Sequence, residues 1–230
     1  MSNTIRVDIW SDIACPWCYI GEHRFKAGLE RFRADHPDVE FEIEGHSYEL
    51  SPDTPVDYAG SGIDFLVTHK GMPRAQVEQM IGQMRAMAAA EGIAFDFEKM
   101  RHANTAAAHR VLHLAKEQDR YDEVEGRLFR AFFAEGVNVS DPDALAEILE
   151  EVGLDPDEVR DAFESEAYGE AVDRDITRAR MLGVNGVPFY LFNEKYGVSG
   201  AQQPEVFANV FEQVLKLEAE GANGADAHEH

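Results

Sequence analysis

The sequence predicts an α/β protein in which two β-containing ends flank an all-helical middle. Two observations carry this. Strand patterning is confined to residues 4–45 and 187–198, and helical periodicity with repeated cap signals fills almost everything from Ser51 to Leu182. The economical arrangement joins both ends in one sheet, with residues 1–55 and 183–220 as one domain and 56–182 as an inserted helical domain.

The elements follow in order. Ile5-Arg6-Val7-Asp8-Ile9-Trp10 alternates apolar and polar residues, as a strand over about 4–10 should. Tyr19, Ile20, Phe25, Leu29 and Phe32 then recur at three-to-five-residue steps, predicting a helix that ends near Ala34. Pro37 disfavours helix at His36, and Val39 to Gly45 alternates again as a second strand with one wet face. Strand, helix, strand is a βαβ unit with a right-handed crossover.

Ser51-Pro52-Asp53-Thr54-Pro55 is turn chemistry. Helices are then expected at 64–70, from Pro73 to Glu91, and over 106–118 and 123–134. Asp141-Pro142 and Asp155-Pro156 read as caps with proline in the first turn; a last helix covers 167–182. Val187 to Phe192 and Tyr196 to Val198 are strands about an Asn193-Glu194-Lys195 turn. Residues 203–219 form an amphipathic closing helix. The acidic tail 221–230 is expected to be disordered, and its His228 and His230 are too sparse for a metal site.

Cys15 and Cys18 are the only cysteines, spaced C-x-x-C between a strand and a helix, which reads as a dithiol redox centre. Cys15 falls at the helix cap, where unpaired N–H groups and the helix dipole favour an anion, and Pro16 suits the first helical position. Cys15 is therefore expected to attack as the thiolate, and Cys18 to resolve the mixed disulfide. A zinc site needs about four ligands, and no second pair exists. A purely structural disulfide is also a weak reading, because so small a ring removes little unfolded-chain entropy. His109, His113 and Glu117 follow i, i+4, i+8, a spacing that could seat a metal but more often marks an ordinary helix face; no metal and no bound cofactor are expected.

The chain carries 21 basic and 44 acidic residues, a net charge of −23, and only six of the basic residues are lysine. Such a field disfavours nucleic acid and anionic membrane as partners. An acidic, lysine-poor surface points to an interior of high ionic strength, a halophile's; the plainer reading is simply an acidic protein. The opening Met1-Ser2-Asn3-Thr4-Ile5-Arg6 has no basic n-region or apolar h-region, and no run approaches the length of a membrane helix, so a cytoplasmic protein is expected.

The Cys15-Pro16-Trp17-Cys18 start of the helix, the helical insertion and Val187-Pro188 opening a late strand resemble the DsbA-like branch of the thioredoxin superfamily. Ser11 through Gly21, Asn104 through Arg110, Gly186 through Phe189 and Val198 through Gln202 resemble its FrnE-like subfamily more closely, over residues 4–217. The resemblance implies a thioredoxin-like fold and a protein disulfide oxidoreductase. It implies that Pro188 follows a cis peptide bond and faces the cysteines, with the Val187 backbone open to pair with an extended substrate; without it, an ordinary trans proline opening an edge strand would be the better reading. It also implies that Asn104, His109 and Arg110 share one helix facing the cleft over Cys15, with Gln202 a further cleft residue and His109 either a proton shuttle or a structural histidine. Neutral Trp17 stands where the strong periplasmic oxidants have histidine, so a less oxidising couple is expected.

Three functions compete. The leading one exchanges disulfides with protein or peptide substrates, with glutathione as a candidate co-substrate or a thioredoxin-type reductant. The second is a glutathione-dependent enzyme of the kappa-class transferase and 2-hydroxychromene-2-carboxylate isomerase type; there a serine replaces the first cysteine, so Cys15 and Cys18 argue against it. The third is a chaperone-like binder of unfolded chains. The oligomeric state is not legible.

Overall fold

The computed structural model describes residues 4–56, 58 and 60–226. Its elements are β1 (Thr4–Ser11), α1 (Pro16–Asp35), β2 (Glu40–Ser47), α2 (Gly62–Thr68), α3 (Arg74–Ala90), α4 (Ala106–Glu117) and α5 (Tyr121–Arg130). A π-helical turn at Ala131–Glu135 leads to α6 (Pro142–Glu150), α7 (Pro156–Glu164), α8 (Glu166–Met181), β3 (Phe189–Phe192), β4 (Tyr196–Ser199) and α9 (Pro204–Asp226).

One four-stranded sheet has the order β2-β1-β3-β4, with β1 and β2 parallel and the other pairs antiparallel. Both β ends therefore meet in one sheet, and α2–α8 occupy the chain between β2 and β3. The period of two along β1 serves two faces at once. Ile5 and Val7 join Phe25, Leu29 and Phe32 of α1 and Phe207, Phe211 and Val214 of α9 in a first core. Trp10 faces the other way, with Ala179 of α8, Val184 and Leu191. The largest core is built mostly by the insertion and takes in Ile13, Cys15, Cys18, Tyr19 and Ile20 from the β1–α1 region. The cysteine pair thus belongs to the seam between sheet and insertion.

A buried polar cluster fastens α8 to the second face of the sheet. Asp175 Oδ1 lies 2.9 Å from His46 Nδ1, and Asp175 Oδ2 accepts from Ser47 N at 2.9 Å. His46 Nε2 lies 2.8 Å from Asp8 Oδ1, which also accepts from Arg178 at 2.8 Å. The His46 ring stacks on Trp10 at 4.6 Å. Burial raises both carboxyls, but His46, Arg178 and Arg6 around Asp8, and His113, His46 and Lys116 around Asp175, outweigh it and hold both well below the usual carboxylate range. Burial lowers His46, and its two carboxylate partners outweigh that and raise it.

The structure departs from the sequence reading in four places. β2 runs on to Ser47, which pairs in register with Ser11 of β1 while Asp175 takes up its N–H; its earlier residues are largely exposed on both faces. β3 begins at Phe189 rather than Val187, the residues before it forming the turn at Pro188. The helix expected over 123–134 begins at Tyr121 and ends in the π turn, whose Phe133 carbonyl accepts from Asp96 N at 2.8 Å. Finally, α9 continues to Asp226 rather than stopping at Ala219. His228 and His230 lie outside the described residues.

Candidate active site

The loop between β1 and α1 is shaped by one carboxylate. Asp12 O accepts from Cys15 N at 3.0 Å, and Asp12 Oδ1 accepts from Ala14 N at 3.1 Å, so the chain turns sharply into the helix. Cys15 then takes the N-cap position with Pro16 behind it, and its carbonyl accepts from Cys18 N at 3.0 Å. Asp12 also reaches outward: Oδ2 accepts from Leu50 N at 2.7 Å and Oδ1 from the Thr105 hydroxyl at 2.9 Å, with His109 Nε2 at 3.5 Å. Burial pushes the Asp12 carboxyl up, but the His109 ring and the two backbone N–H groups hold it below its ordinary value.

Both cysteines are free thiols, 3% and 2% exposed. The Cys15 thiol donates to the Val187 carbonyl at 3.5 Å, and the Val187–Pro188 peptide bond is cis. Gly21 makes this approach sterically open. A Cβ there would lie 2.7 Å from the Tyr190 hydroxyl and 2.9 Å from Pro188 Cγ, closer than van der Waals contact allows. Burial, then the neighbouring Cys15 sulfur, push the Cys18 thiol well above its ordinary value. Trp17 is 38% exposed on the first turn.

Behind Cys18 lies a cavity of about 370 Å³ between α1, α5 and the sheet, lined by Ser11, Cys18, Glu22, Tyr121, Glu125 and Tyr190 among others. Glu125 is a buried acid whose carboxyl burial, then the charges of Glu22 and Asp122, push up to about 8.

The expectation that Asn104, His109 and Arg110 together face the cleft over Cys15 is corrected. Asn104 precedes α4; it donates to Thr54 O at 2.8 Å and accepts from Ala106 N at 2.9 Å. Arg110 donates to Phe163 O at 3.0 Å and, with Asn104 and Ser140, lines a separate cavity of about 270 Å³. Only His109 reaches the cysteine loop, through Asp12. Neighbouring helical residues point about 100° apart, so His109 and Arg110 cannot share a target. Gln202 donates to Ser199 O at 2.8 Å. The stripe of His109, His113 and Glu117 disperses as well: His113 faces Asp175 at 3.3 Å, and Glu117 accepts from the Tyr168 hydroxyl at 2.7 Å.

Two site residues escaped the sequence reading. Asp12 stood inside the cysteine-loop motif with no role assigned. Glu125 carried a legible signal, an acid on the apolar stripe formed by Tyr121, Val124 and Leu128 of a strongly amphipathic helix.

A cysteine pair at a helix start, set against a cis-proline turn on a mixed sheet with a helical insertion, defines a thioredoxin-like fold. The chain belongs to the DsbA-like thioredoxin domain family, which it matches over residues 6–212. It is similar to the crystal structure of a probable DsbA oxidoreductase, SCO1869 from Streptomyces coelicolor. That likeness is 38% identity and a TM-score of 0.85, covering 92% of this chain and 90% of the other. It is 27% identical to an uncharacterized Bacillus subtilis protein, YwbO, over 89% of this chain and 94% of that one. The cytosolic disulfide reductase DsbM of Pseudomonas aeruginosa, solved with GSH, shares the fold at 18% identity and a TM-score of 0.65, covering 92% of this chain and 99% of that one. Among the described residues, no helix is long and apolar enough to cross a membrane.

Proposed function

We propose that the protein is a thiol-disulfide oxidoreductase acting on protein or peptide substrates through Cys15 and Cys18. The observation that carries this reading is the position of Cys15, at the N-cap of α1 and 3.5 Å from the Val187 carbonyl beside cis-Pro188. Cys15 attacks a substrate disulfide from the end of the helix, where the unpaired N–H groups of the first turn stabilise an anion. Cys18, one turn on, closes the Cys15–Cys18 disulfide and releases the substrate as a thiol. The Val187 backbone offers an extended substrate chain a strand-like partner. Glutathione or a thioredoxin-type reductant resets the pair, and a cytoplasmic location suits thiols that cycle.

The test is a redox titration of the pair in glutathione buffers, followed by alkylation and mass measurement. A reversible two-electron transition is expected. A midpoint near about −270 mV marks a reductase, and one near about −120 to −180 mV an oxidase or isomerase. A pair that never closes, or that ends as a glutathione adduct on Cys15, refutes exchange and leaves the glutathione-dependent chemistry instead.

A further inference from the structure

The reaction proposed above requires the Cys18 thiol to lose its proton as it attacks. Yet Cys18 is 2% exposed, and its burial opposes ionisation. A partner for that proton must lie inside the protein. The cavity behind Cys18 supplies the place: Cys18 and Ser11 stand in one wall, Glu125 of α5 in another, and the space opens toward solvent beside Glu30 and Arg33.

Glu125 is fixed there by local packing. The Tyr121 hydroxyl, one helical turn earlier, donates to Glu125 Oε1 at 3.2 Å. Tyr121 can lie against β2 only because Gly45 has no side chain; a Cβ there would fall 2.1 Å from the phenol ring. Ser11 of β1 lines the same cavity as Cys18 and Glu125, and its hydroxyl favours the ionised form of each against the larger, opposing effect of burial. From α1, Glu22 faces the same space with Lys26 Nζ 2.6 Å from its carboxylate, and Asp122 lies 3.7 Å from the same ammonium. From β3, Tyr190 lines the same cavity, and burial, then the charges of Cys18, Glu125, Glu22 and Cys15, push its phenol up. A buried carboxyl that keeps its proton up to about pH 8 is matched to trading it with a thiol near neutrality.

We propose that Glu125 is the proton acceptor for Cys18 when a mixed disulfide on Cys15 is resolved, and its proton donor when the Cys15–Cys18 bond is opened. The role rests on the exchange reading above. In resolution, the Cys18 proton passes across the cavity to the Glu125 carboxylate, and the Cys18 sulfur attacks Cys15. The Cys15–Cys18 bond forms, and the bond to the substrate sulfur breaks; the substrate leaves as a thiolate carrying the electron pair. The cysteine pair is oxidised and the substrate disulfide reduced. In the reverse direction a substrate thiolate attacks Cys15, and Cys18 departs as a thiolate that takes the proton from the Glu125 acid.

The test uses dithiobis(nitrobenzoate) on the reduced full chain. Attack by Cys15 releases one coloured thiolate in a bimolecular phase; resolution by Cys18 releases a second in a unimolecular phase. In Glu125→Gln the second phase is expected to slow by roughly 10- to 100-fold at pH 7 and to lose its rise through pH 8, with the first phase unchanged. Glu125→Asp is expected to recover part of the rate and the pH dependence. An unaltered second phase in Glu125→Gln overturns the proposal. So does an equal fall in both phases, which would assign Glu125 to packing. Absence of a second release in the unmodified protein is distinguishable from both, because it sinks the exchange reading itself and the proposal with it.

Discussion

Asp12 Oδ1 accepts a hydrogen bond from the Thr105 hydroxyl at 2.9 Å, across 93 residues of chain. The same carboxylate holds Ala14 N and Leu50 N, so one buried side chain ties the cysteine loop to the chain after β2 and to the start of α4. Asp12→Ala removes these partners together and strands buried donors. A loss of about 2–4 kcal/mol in denaturant unfolding is expected, against about 1 kcal/mol for Thr105→Ala. Near-equal losses for the two variants would mean that Asp12 is not the shared anchor.

The buried charges set the pH dependence of stability. Asp8, Asp12 and Asp175 are held below their ordinary value of 3.8. Their contribution is present above about pH 4 and is lost as pH falls through the folded values. His46 is raised above 6.5, so its contribution is complete below that pH and is lost as pH rises through the folded value. Glu125, raised from 4.5 to about 8, acts in the same direction: between those values the unfolded chain has released a proton that the fold retains, and stability falls as pH rises. His102, which burial lowers from 6.5 to about 4, acts oppositely: between those values the unfolded chain holds a proton that the fold has released, so stability rises with pH and offsets the Glu125 slope. Thermal melts are therefore expected to change little between about pH 4.5 and 6.5 and to decline from there toward pH 8, with a shallower decline in Glu125→Gln. A maximum at pH 8 would contradict these shifts.

Much of this was legible in the sequence because the signals are local. Asp141-Pro142 and Asp155-Pro156 announce α6 and α7 through caps made by their own side chains. The C-x-x-C after an alternating strand marks the chemistry in the same way. What was not legible depends on partners far along the chain. Ser47 extends β2 by pairing with Ser11 of β1, and Asp175, 128 residues later, takes its N–H. Arg110 turns from the cysteines because Phe163 O receives it. Glu125 gains its character from a cavity whose walls come from β1, α1, β2 and β3. An acid on an apolar stripe can be seen in one dimension; the thiol beside it cannot.

The order of attack is separable by substitution. Cys18→Ser retains Cys15 at the N-cap but removes the resolving sulfur, so mixed disulfides on Cys15 should persist long enough for intact-mass detection. Turnover of a disulfide substrate is expected to fall by at least about 100-fold. Cys15→Ser should trap nothing and turn over nothing. A Cys18→Ser protein that works at the normal rate would instead support glutathione-dependent chemistry at Cys15 alone.

The charge balance makes the last prediction. With 44 acidic and 21 basic residues the chain carries a net charge of −23, and the compact fold suffers that self-repulsion. Potassium chloride shortens the Debye length from about 30 Å at 0.01 M to about 3 Å at 1 M, so most of the relief should arrive in the first few tenths molar. The melting temperature at pH 7 is expected to rise by several degrees over that range, equivalent to about 1–2 kcal/mol for a chain of this size, and then to level off. A rise that begins only at molar salt would indicate exclusion of the salt from apolar surface rather than screening. Equal melting temperatures in dilute buffer and in molar potassium chloride would remove the case for a fold adapted to high ionic strength.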